Sequence, residues 1–233
     1  PNALFHCTKT KRLQFLYFLL LLLAGDIELN PGPVSSTLTT SLNLSHLNTW
    51  SATSITTERD KPALIQEFIS DQNLHILTLS ETWFSSDTPP SILRSLTPRK
   101  FSIIHSSRPA GQNGGGVAII FQSHIKIEKM SLPTFSSFES ICARFSFSNN
   151  SFSFILLTIY RPPKSSKPDF ISEFSSLLED LAISNSEIVI TGDFNFHVDQ
   201  PDCPYTSHFI NLLADFSLTQ HINFPTHTFG HTL

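Results

Sequence analysis

The sequence has little charge of either sign and few cysteines. Lys, Arg, Asp and Glu make up 15% of its 233 residues, and the formal net charge is −4. This balance argues against a protein that binds nucleic acid through bulk positive charge, but it leaves room for a local basic groove or a metal ion. The three cysteines, Cys7, Cys142 and Cys203, are far apart and odd in number. They therefore indicate neither a disulfide framework nor a zinc cluster, and a reducing compartment is the simpler interpretation.

Methionine and glycine are also scarce. The chain begins at Pro1 and its only methionine is Met130, which predicts that it is a piece of a longer open reading frame. Glycine occurs 8 times, whereas phenylalanine occurs 21 times and hydrophobic residues make up 40%. This composition predicts a packed core in one ordinary domain with a short extra segment, and it argues against global disorder.

The most informative stretch is residues 188–198, with the sequence IVITGDFNFHV. Its apolar start predicts a buried strand that ends in a glycine turn carrying Asp193 and Asn195. Alternate residues of a strand point to the same side, so we expect this carboxylate and this amide to share one face. An Asp-Asn turn that merely ends a strand is the structural alternative.

Three further motifs lie beside predicted strands. The string SETW, residues 80–83, ends a mostly apolar strand, and YRPP, residues 160–163, ends another because proline cannot continue a central strand. The glycines of GGGVA, residues 114–118, form a turn that feeds a strand, and the absence of a following GK[ST] rejects a nucleotide P-loop. Further strands are predicted at 44–48, 125–130 and 140–147, and helices at 61–69, 169–182 and 205–216.

In this order, SETW, GGGVA, YRPP and GDFN resemble the endonuclease/exonuclease/phosphatase superfamily and, more narrowly, the endonuclease of non-LTR (LINE-type) retrotransposons. The resemblance covers residues 44–233. It implies an α/β fold: a four-layered α/β sandwich of two packed β-sheets flanked by helices, which is the DNase I-like fold. The family pattern continues with an aspartate and a Ser-Asp-His motif that this sequence lacks. The resemblance therefore implies a domain truncated at its C-terminus, and weak or inactive by itself.

The resemblance also implies metal-assisted hydrolysis of a phosphodiester. The implied catalytic residues are Asp193, Asn195, Tyr160 and Asn48, the implied metal ligands are Glu81 and Asn48, and the implied phosphate or DNA contacts are Arg161 and Thr226. Asp193 would act as a base or orient the attacking water, and the metal would be Mg²⁺, or Mn²⁺ in its place. Trp50 stands where the family usually has an arginine.

The implied partners are a double-stranded DNA target and a reverse transcriptase encoded in the same reading frame, which would prime from the nicked 3′-hydroxyl. The implied location is the nucleus. Two alternatives stay open. One is another superfamily member, such as an abasic-site repair endonuclease or a phosphatase. The other is a non-catalytic remnant of a decayed element.

The first 33 residues contain a separate motif. Three basic residues precede an apolar run, residues 15–24, that is too short to span a bilayer and fits a signal-peptide core. The string DIELNPGP, residues 26–33, resembles the 2A-like ribosome-skipping peptides, whose fixed positions are matched by Asp26, Glu28, Asn30, Pro31, Gly32 and Pro33.

This second resemblance implies that the bond between Gly32 and Pro33 is not made during translation, whereas a simple turn or linker is the alternative. Secretory targeting by the apolar run is expected only when skipping fails. We therefore predict a leader with the skipping peptide at 1–33, a linker at 34–43 that is rich in Ser, Thr and Leu, and the endonuclease domain at 44–233.

Overall fold

The computed structural model describes the backbone of residues 3–7, and residues 42–55, 60–108, 114–147, 152–184 and 186–222. The predicted skipping peptide, most of the predicted linker, and Thr226 lie outside the described residues. In chain order the described elements are β1 (Ala3–Cys7), β2 (Leu44–Asn48), α1 (Lys61–Asp71), β3 (Ile76–Ser80), α2 (Pro90–Leu96), β4 (Phe101–Ser106), β5 (Val117–Gln122), β6 (Lys126–Met130), β7 (Glu139–Ser146), β8 (Ser153–Tyr160), α3 (Lys167–Ala182), β9 (Glu187–Asp193), α4 (Pro204–Asp215) and β10 (Leu218–Gln220).

Two β-sheets form the centre of the molecule. The four-stranded sheet has the order β2-β3-β5-β4, and the six-stranded sheet has the order β10-β1-β9-β8-β7-β6. The strand pairs β2/β3 and β8/β9 are parallel, and the other pairs are antiparallel. Each parallel pair is connected through a helix, α1 in the first case and α3 in the second, as crossover connections require.

Three apolar clusters hold four layers together. The inner faces of the two sheets meet around side chains such as Ile119, Phe145 and Val189. The outer face of the four-stranded sheet packs on α1, and that of the six-stranded sheet packs on α3 and α4. The predicted four-layered α/β sandwich is therefore confirmed.

Phenylalanine fills the outer layer of the six-stranded sheet. Phe170 and Phe174 of α3 contact Phe194, which follows β9, and Phe209 of α4. Ring centroids in this cluster lie 5.2–6.1 Å apart. These contacts pack α3 and α4 directly beneath the end of β9, so the cluster supports the segment that contains GDFN.

Local signals position the helices as predicted. Proline occupies the first turn of α1 and α3, where its missing N–H leaves no partner unsatisfied. The Asp60 carboxylate caps α1 by accepting from the Ala63 N–H, and the Ser166 hydroxyl caps α3 in the same way by accepting from Asp169. Both helices bury an apolar stripe and expose their remaining faces.

Four elements were not predicted from the sequence. α2, β4 and β10 are short or half-buried, and their apolar pattern is weak. β1 lies inside the segment assigned to a separate leader, yet it pairs antiparallel with both β9 and β10. Strand pairing joins residues that are nearly two hundred positions apart here, and single-sequence periodicity contains no signal for such a pairing.

Candidate active site

Four strand ends bring the predicted site residues together. β2 ends at Asn48, and its neighbour β3 ends at Ser80, directly before Glu81. In the other sheet β8 ends at Tyr160 and β9 ends at Asp193, and these two residues are paired in register. Both strand pairs are parallel, so the two strands of each pair have their carboxyl ends at the same end of the sheet. The packing of the two sheets brings these strand ends together.

The Asn48 side chain joins the two sheets at this edge. Its Nδ2 donates to Glu81 Oε1 at 3.0 Å and to Asp193 Oδ2 at 2.8 Å. Its Oδ1 accepts from the Trp50 N–H at 3.1 Å, which sets the orientation of the amide. One neutral side chain therefore holds two carboxylates from different sheets around a common point.

Asp193 is almost completely buried, with 1% of its surface exposed. Burial raises the pKa of its carboxyl from 3.8 to about 6, and the nearby Glu81 charge adds to this shift. Hydrogen bonds from Asn48 and from the Asn195 N–H oppose the shift. The carboxylate is therefore ionised at neutral pH, but its pKa lies in the range in which a carboxylate is an effective proton acceptor.

Tyr160 lies beside both carboxylates. Burial, together with the nearby Glu81 and Asp193 carboxylates, raises the pKa of its hydroxyl well above the ordinary value. The guanidinium of Arg108 lies 5.9 Å from the centre of the Tyr160 ring and forms an ion pair with Glu139. The phenol therefore stays protonated and remains a hydrogen-bond donor at neutral pH.

Gly192 is required by the close packing of β9 on β8. Its φ of 151° lies in a region that L side chains rarely adopt, and an added Cβ would lie 2.1 Å from the Ile159 carbonyl oxygen. No side chain fits at this position without a shift of the paired backbone. The glycine in GDFN therefore permits β9 to stay paired as far as Asp193, so the prediction of a glycine turn that ends the strand is wrong.

Asn195 follows in a left-handed conformation, with φ of 52°. Its N–H donates to Asp193 Oδ1 at 3.2 Å, so the Asp-Asn turn proposed as the structural alternative is present locally. Its Nδ2 donates to the Arg161 carbonyl at 2.7 Å, and the side chain is half-buried. The alternation that was expected to put Asp193 and Asn195 on one face does not apply, because β9 ends at Asp193.

Arg161 corrects the prediction of a DNA contact. Its side chain is fully buried, and its guanidinium donates to the carbonyls of Phe194, Asn195 at 2.7 Å and Ser165 at 3.2 Å. The same group lies 4.6 Å from the centre of the Phe196 ring. Because these contacts use the charged head, Arg161 positions the GDFN segment and does not reach a DNA backbone.

Sequence reasoning missed His46, which lies under the site. His46 Nδ1 lies 2.9 Å from Thr78 Oγ1 and Nε2 lies 3.2 Å from Ser80 Oγ, and all three side chains are buried. The sequence does contain a signal for this position, because His46 precedes Asn48 by two residues and so lies on the same face of β2. This layer ties β2 to β3 next to Asn48 and Glu81.

The donor set at the site suits a hard divalent cation. Among the described residues no group of three His, Cys, Asp or Glu side chains is arranged to hold a metal ion. Mg²⁺ needs fewer protein ligands, because it takes one or two carboxylates and completes its shell with water and substrate phosphate. Glu81 is a carboxylate of this kind and fits the metal that was predicted. Asn48 turns its Nδ2 towards Glu81 and its Oδ1 towards the Trp50 N–H, so its role as a metal ligand stays a prediction.

A family model for the endonuclease/exonuclease/phosphatase family matches residues 41–233. The chain belongs to this family. Family members are hydrolases of phosphodiester bonds and generally use divalent metal ions. No curated protein sequence matches the chain.

Solved structures share the fold. The endonuclease domain of TRAS1, a telomere-specific non-LTR retrotransposon, is 10% identical with a TM-score of 0.50, over 66% of this chain and 64% of that one. The human Nocturnin catalytic domain is 17% identical with a TM-score of 0.49, over 70% of this chain and 66% of that one. An AP endonuclease from Archaeoglobus fulgidus is 12% identical with a TM-score of 0.48, over 73% and 69%. The chain thus spans less than two thirds of the TRAS1 and Nocturnin domains.

None of the described helices is long and apolar enough to cross a membrane.

Proposed function

We propose that this chain is the metal-dependent endonuclease domain of a LINE-type retrotransposon, and that it nicks double-stranded DNA. The observation that supports this most directly is the Asn48 amide, which holds Glu81 and Asp193 together beside the protonated Tyr160. Membership of the family supports phosphodiester hydrolysis. The SETW, GGGVA and YRPP strings, and the fold shared with the TRAS1 endonuclease, support the narrower assignment.

Glu81 would hold the metal, and Asn48 would join it as a ligand once its amide turned to bring the side-chain oxygen, in place of Nδ2, beside Glu81. The metal when bound would stabilise negative charge on the phosphate. Asp193 accepts a proton from the attacking water as the water oxygen bonds to phosphorus. The bond from phosphorus to the 3′-oxygen then breaks, and solvent protonates that oxygen to leave a 3′-hydroxyl and a 5′-phosphate. The Tyr160 hydroxyl donates to a phosphoryl oxygen, where charge grows in the transition state.

Asn195 has a role that the local geometry supports. One hydrogen of its Nδ2 donates to the Arg161 carbonyl, and the second is available to a phosphoryl oxygen. Arg161 holds the carbonyls of Phe194 and Asn195, so it keeps this amide and Asp193 in register. Thr226, which lies outside the described residues, remains a proposed phosphate contact.

The wider biology follows from the same proposal. The 3′-hydroxyl would prime a reverse transcriptase encoded in the same reading frame, and this would occur in the nucleus. Skipping at the bond between Gly32 and Pro33 would make the leader a separate chain, so that β1 would stay with the domain only through its pairing with β9 and β10. The apolar run at 15–24 would act in secretory targeting when skipping fails.

Plasmid nicking tests the proposal. We expect the chain, in excess over supercoiled plasmid and with Mg²⁺, to produce open circles that carry ligatable 3′-hydroxyl ends. EDTA should abolish the product, and Asp193→Asn should slow its formation by roughly 100-fold or more, as loss of a general base does.

Absence of nicking by folded protein, or equal nicking by Asp193→Asn, would refute the proposal. A matched pair of oligonucleotide duplexes, one intact and one with an abasic site, separates the alternatives. Cleavage of the abasic duplex that is much faster than cleavage of the intact duplex, and also much faster than cleavage of a duplex with a mismatch at the same position, would replace the retrotransposon assignment with a repair endonuclease.

A further inference from the structure

We propose that Trp50 and Trp83 form a stacking platform for an unpaired nucleobase next to the scissile phosphate. This inference rests on the proposed function, and it adds a substrate class: DNA with unpaired or unstacked nucleotides at the cleavage position. Neither tryptophan has a role in the mechanism described above.

Both indoles are unusually exposed for their size. Trp50 is 71% exposed and Trp83 is 46% exposed, although each follows a residue of the site by two positions. They are the only two tryptophans of the chain. An exposed aromatic side chain marks a binding surface when it lies at a site and shares that location with a second one.

Both residues also have a backbone conformation that bulky side chains disfavour. The φ angles are 39° for Trp50 and 59° for Trp83, in the left-handed region. Hydrogen bonds maintain these angles: the Trp50 N–H donates to Asn48 Oδ1, and the Trp83 N–H donates to the Gly115 carbonyl at 2.8 Å. Strain that the surrounding structure maintains is typical of functional positions.

The two tryptophans lie on adjoining loops at the site. The Ser51 N–H donates to the Glu81 carbonyl at 2.8 Å, so the loop after β2 is bonded to the loop after β3. Trp50 is two residues from Asn48, and Trp83 is two residues from Glu81. The Lys61 ammonium donates to the Trp50 carbonyl at 2.6 Å and places positive charge at the same loop. A phosphate at Asn48 and Glu81 would therefore have its flanking nucleotide next to these indoles.

The state of that nucleotide follows from stacking chemistry. In an intact duplex both faces of a base are covered by its neighbours, so an indole cannot reach them unless the base leaves the stack. Single strands, mismatches and bulges present a free face, and aromatic side chains bind such faces with little dependence on sequence. The platform therefore favours a cleavage position at which the duplex is already interrupted.

Intrinsic fluorescence tests this directly, because all tryptophan emission comes from these two positions. The full chain is titrated with a single-stranded oligonucleotide, and separately with the blunt duplex of the same sequence, in EDTA so that no strand is cut. We expect saturable quenching by the single strand and much weaker quenching by the duplex.

The same single-stranded oligonucleotide, now carrying a fluorescent label, is then used in anisotropy titrations that measure the contribution of each ring to binding. Trp50→Gly and Trp83→Gly suit the left-handed backbone, so they remove the ring without adding strain. Each should weaken binding of the single strand by roughly tenfold. Tyr205→Ala is the matched control, since Tyr205 is an exposed aromatic residue at the start of α4, on the outer layer of the other sheet. It should bind as the unmodified chain does.

The outcomes separate this inference from the proposed function. Plasmid nicking without quenching by the single strand would overturn the platform and leave the endonuclease standing. Anisotropy that shows weaker binding of the single strand by both glycine variants, in a protein that nicks no plasmid, would support the platform and remove the endonuclease. Equal binding by the glycine variants and the unmodified chain would also overturn the platform.

Discussion

Lowering the pH from 7 to 5 should destabilise the protein through His46, which lies beneath the candidate site. Burial lowers the pKa of this ring from 6.5 to about 3, and both ring nitrogens lie within hydrogen-bonding distance of hydroxyls, at 2.9 and 3.2 Å. The ring is therefore neutral in the folded protein across this pH range. In the unfolded chain it gains a proton near its ordinary pKa.

The sign and size of the effect follow from proton linkage. Because the folded pKa is the lower one, the unfolded state binds more protons between pH 3 and pH 6.5, and stability falls as the pH falls through that window. The loss from His46 alone is about 2 kcal/mol between pH 7 and pH 5. Asp193 acts in the opposite direction, because its raised pKa makes the folded state bind the extra proton. The lowered pKa values of His75, His105 and His221 add to the loss.

The contributions of these other groups to the pH dependence of stability cancel when the unmodified chain is compared with His46→Gln. Glutamine keeps a donor and an acceptor but does not titrate. Urea unfolding of both proteins in EDTA at pH 7, 6 and 5 would measure the comparison. The free energy of unfolding of the unmodified chain should fall by about 2 kcal/mol more than that of the variant. Parallel pH dependence of the two proteins would refute the assignment of a buried neutral ring.

Three further predictions follow from contacts around the site. Gly192→Ala should destabilise the protein by about 2 kcal/mol or more, because the new methyl would overlap the Ile159 carbonyl. Urea unfolding measures the loss of stability, and an unchanged midpoint would contradict the close packing. Arg161→Met should lower the free energy of unfolding by about 3 kcal/mol and also slow nicking, because the carbonyls that Arg161 binds lose their donors. Arg161→Lys should recover part of the stability. Full stability of the methionine variant would contradict the positioning role. Tyr160→Phe should slow nicking by roughly 100-fold with little change in Tm, and a rate equal to that of the unmodified chain would exclude the phenol as a donor.

Much of the fold was open to prediction because local patterns determined it. An apolar stripe marked α1 and α3, and apolar runs ending in polar motifs marked β3, β8 and β9. The resemblance then assigned Asn48, Glu81, Tyr160 and Asp193 to one site, and the structure places all four together. Their roles in catalysis remain predictions.

Other features depend on contacts between distant parts of the chain. Arg161 follows a strand and has the sequence context of a surface residue, yet carbonyls more than thirty residues away surround its head. The pairing of β1 with β9 likewise joins opposite ends of the described chain. Periodicity and capping reflect neighbours within a few residues, so they cannot show which distant group will satisfy a buried donor or an open strand edge.

The sequence by itself determined that polar motifs follow the apolar strands, the order of these motifs, and the oxygen-rich chemistry that suits Mg²⁺. Only the tertiary structure decided that one asparagine amide holds both carboxylates, that burial raises the pKa of Asp193, and that two strained tryptophans lie exposed beside them. The physical reason is that burial, hydrogen-bond partners and backbone strain are properties of packed surroundings, and the two sheets that create them meet only in the folded chain.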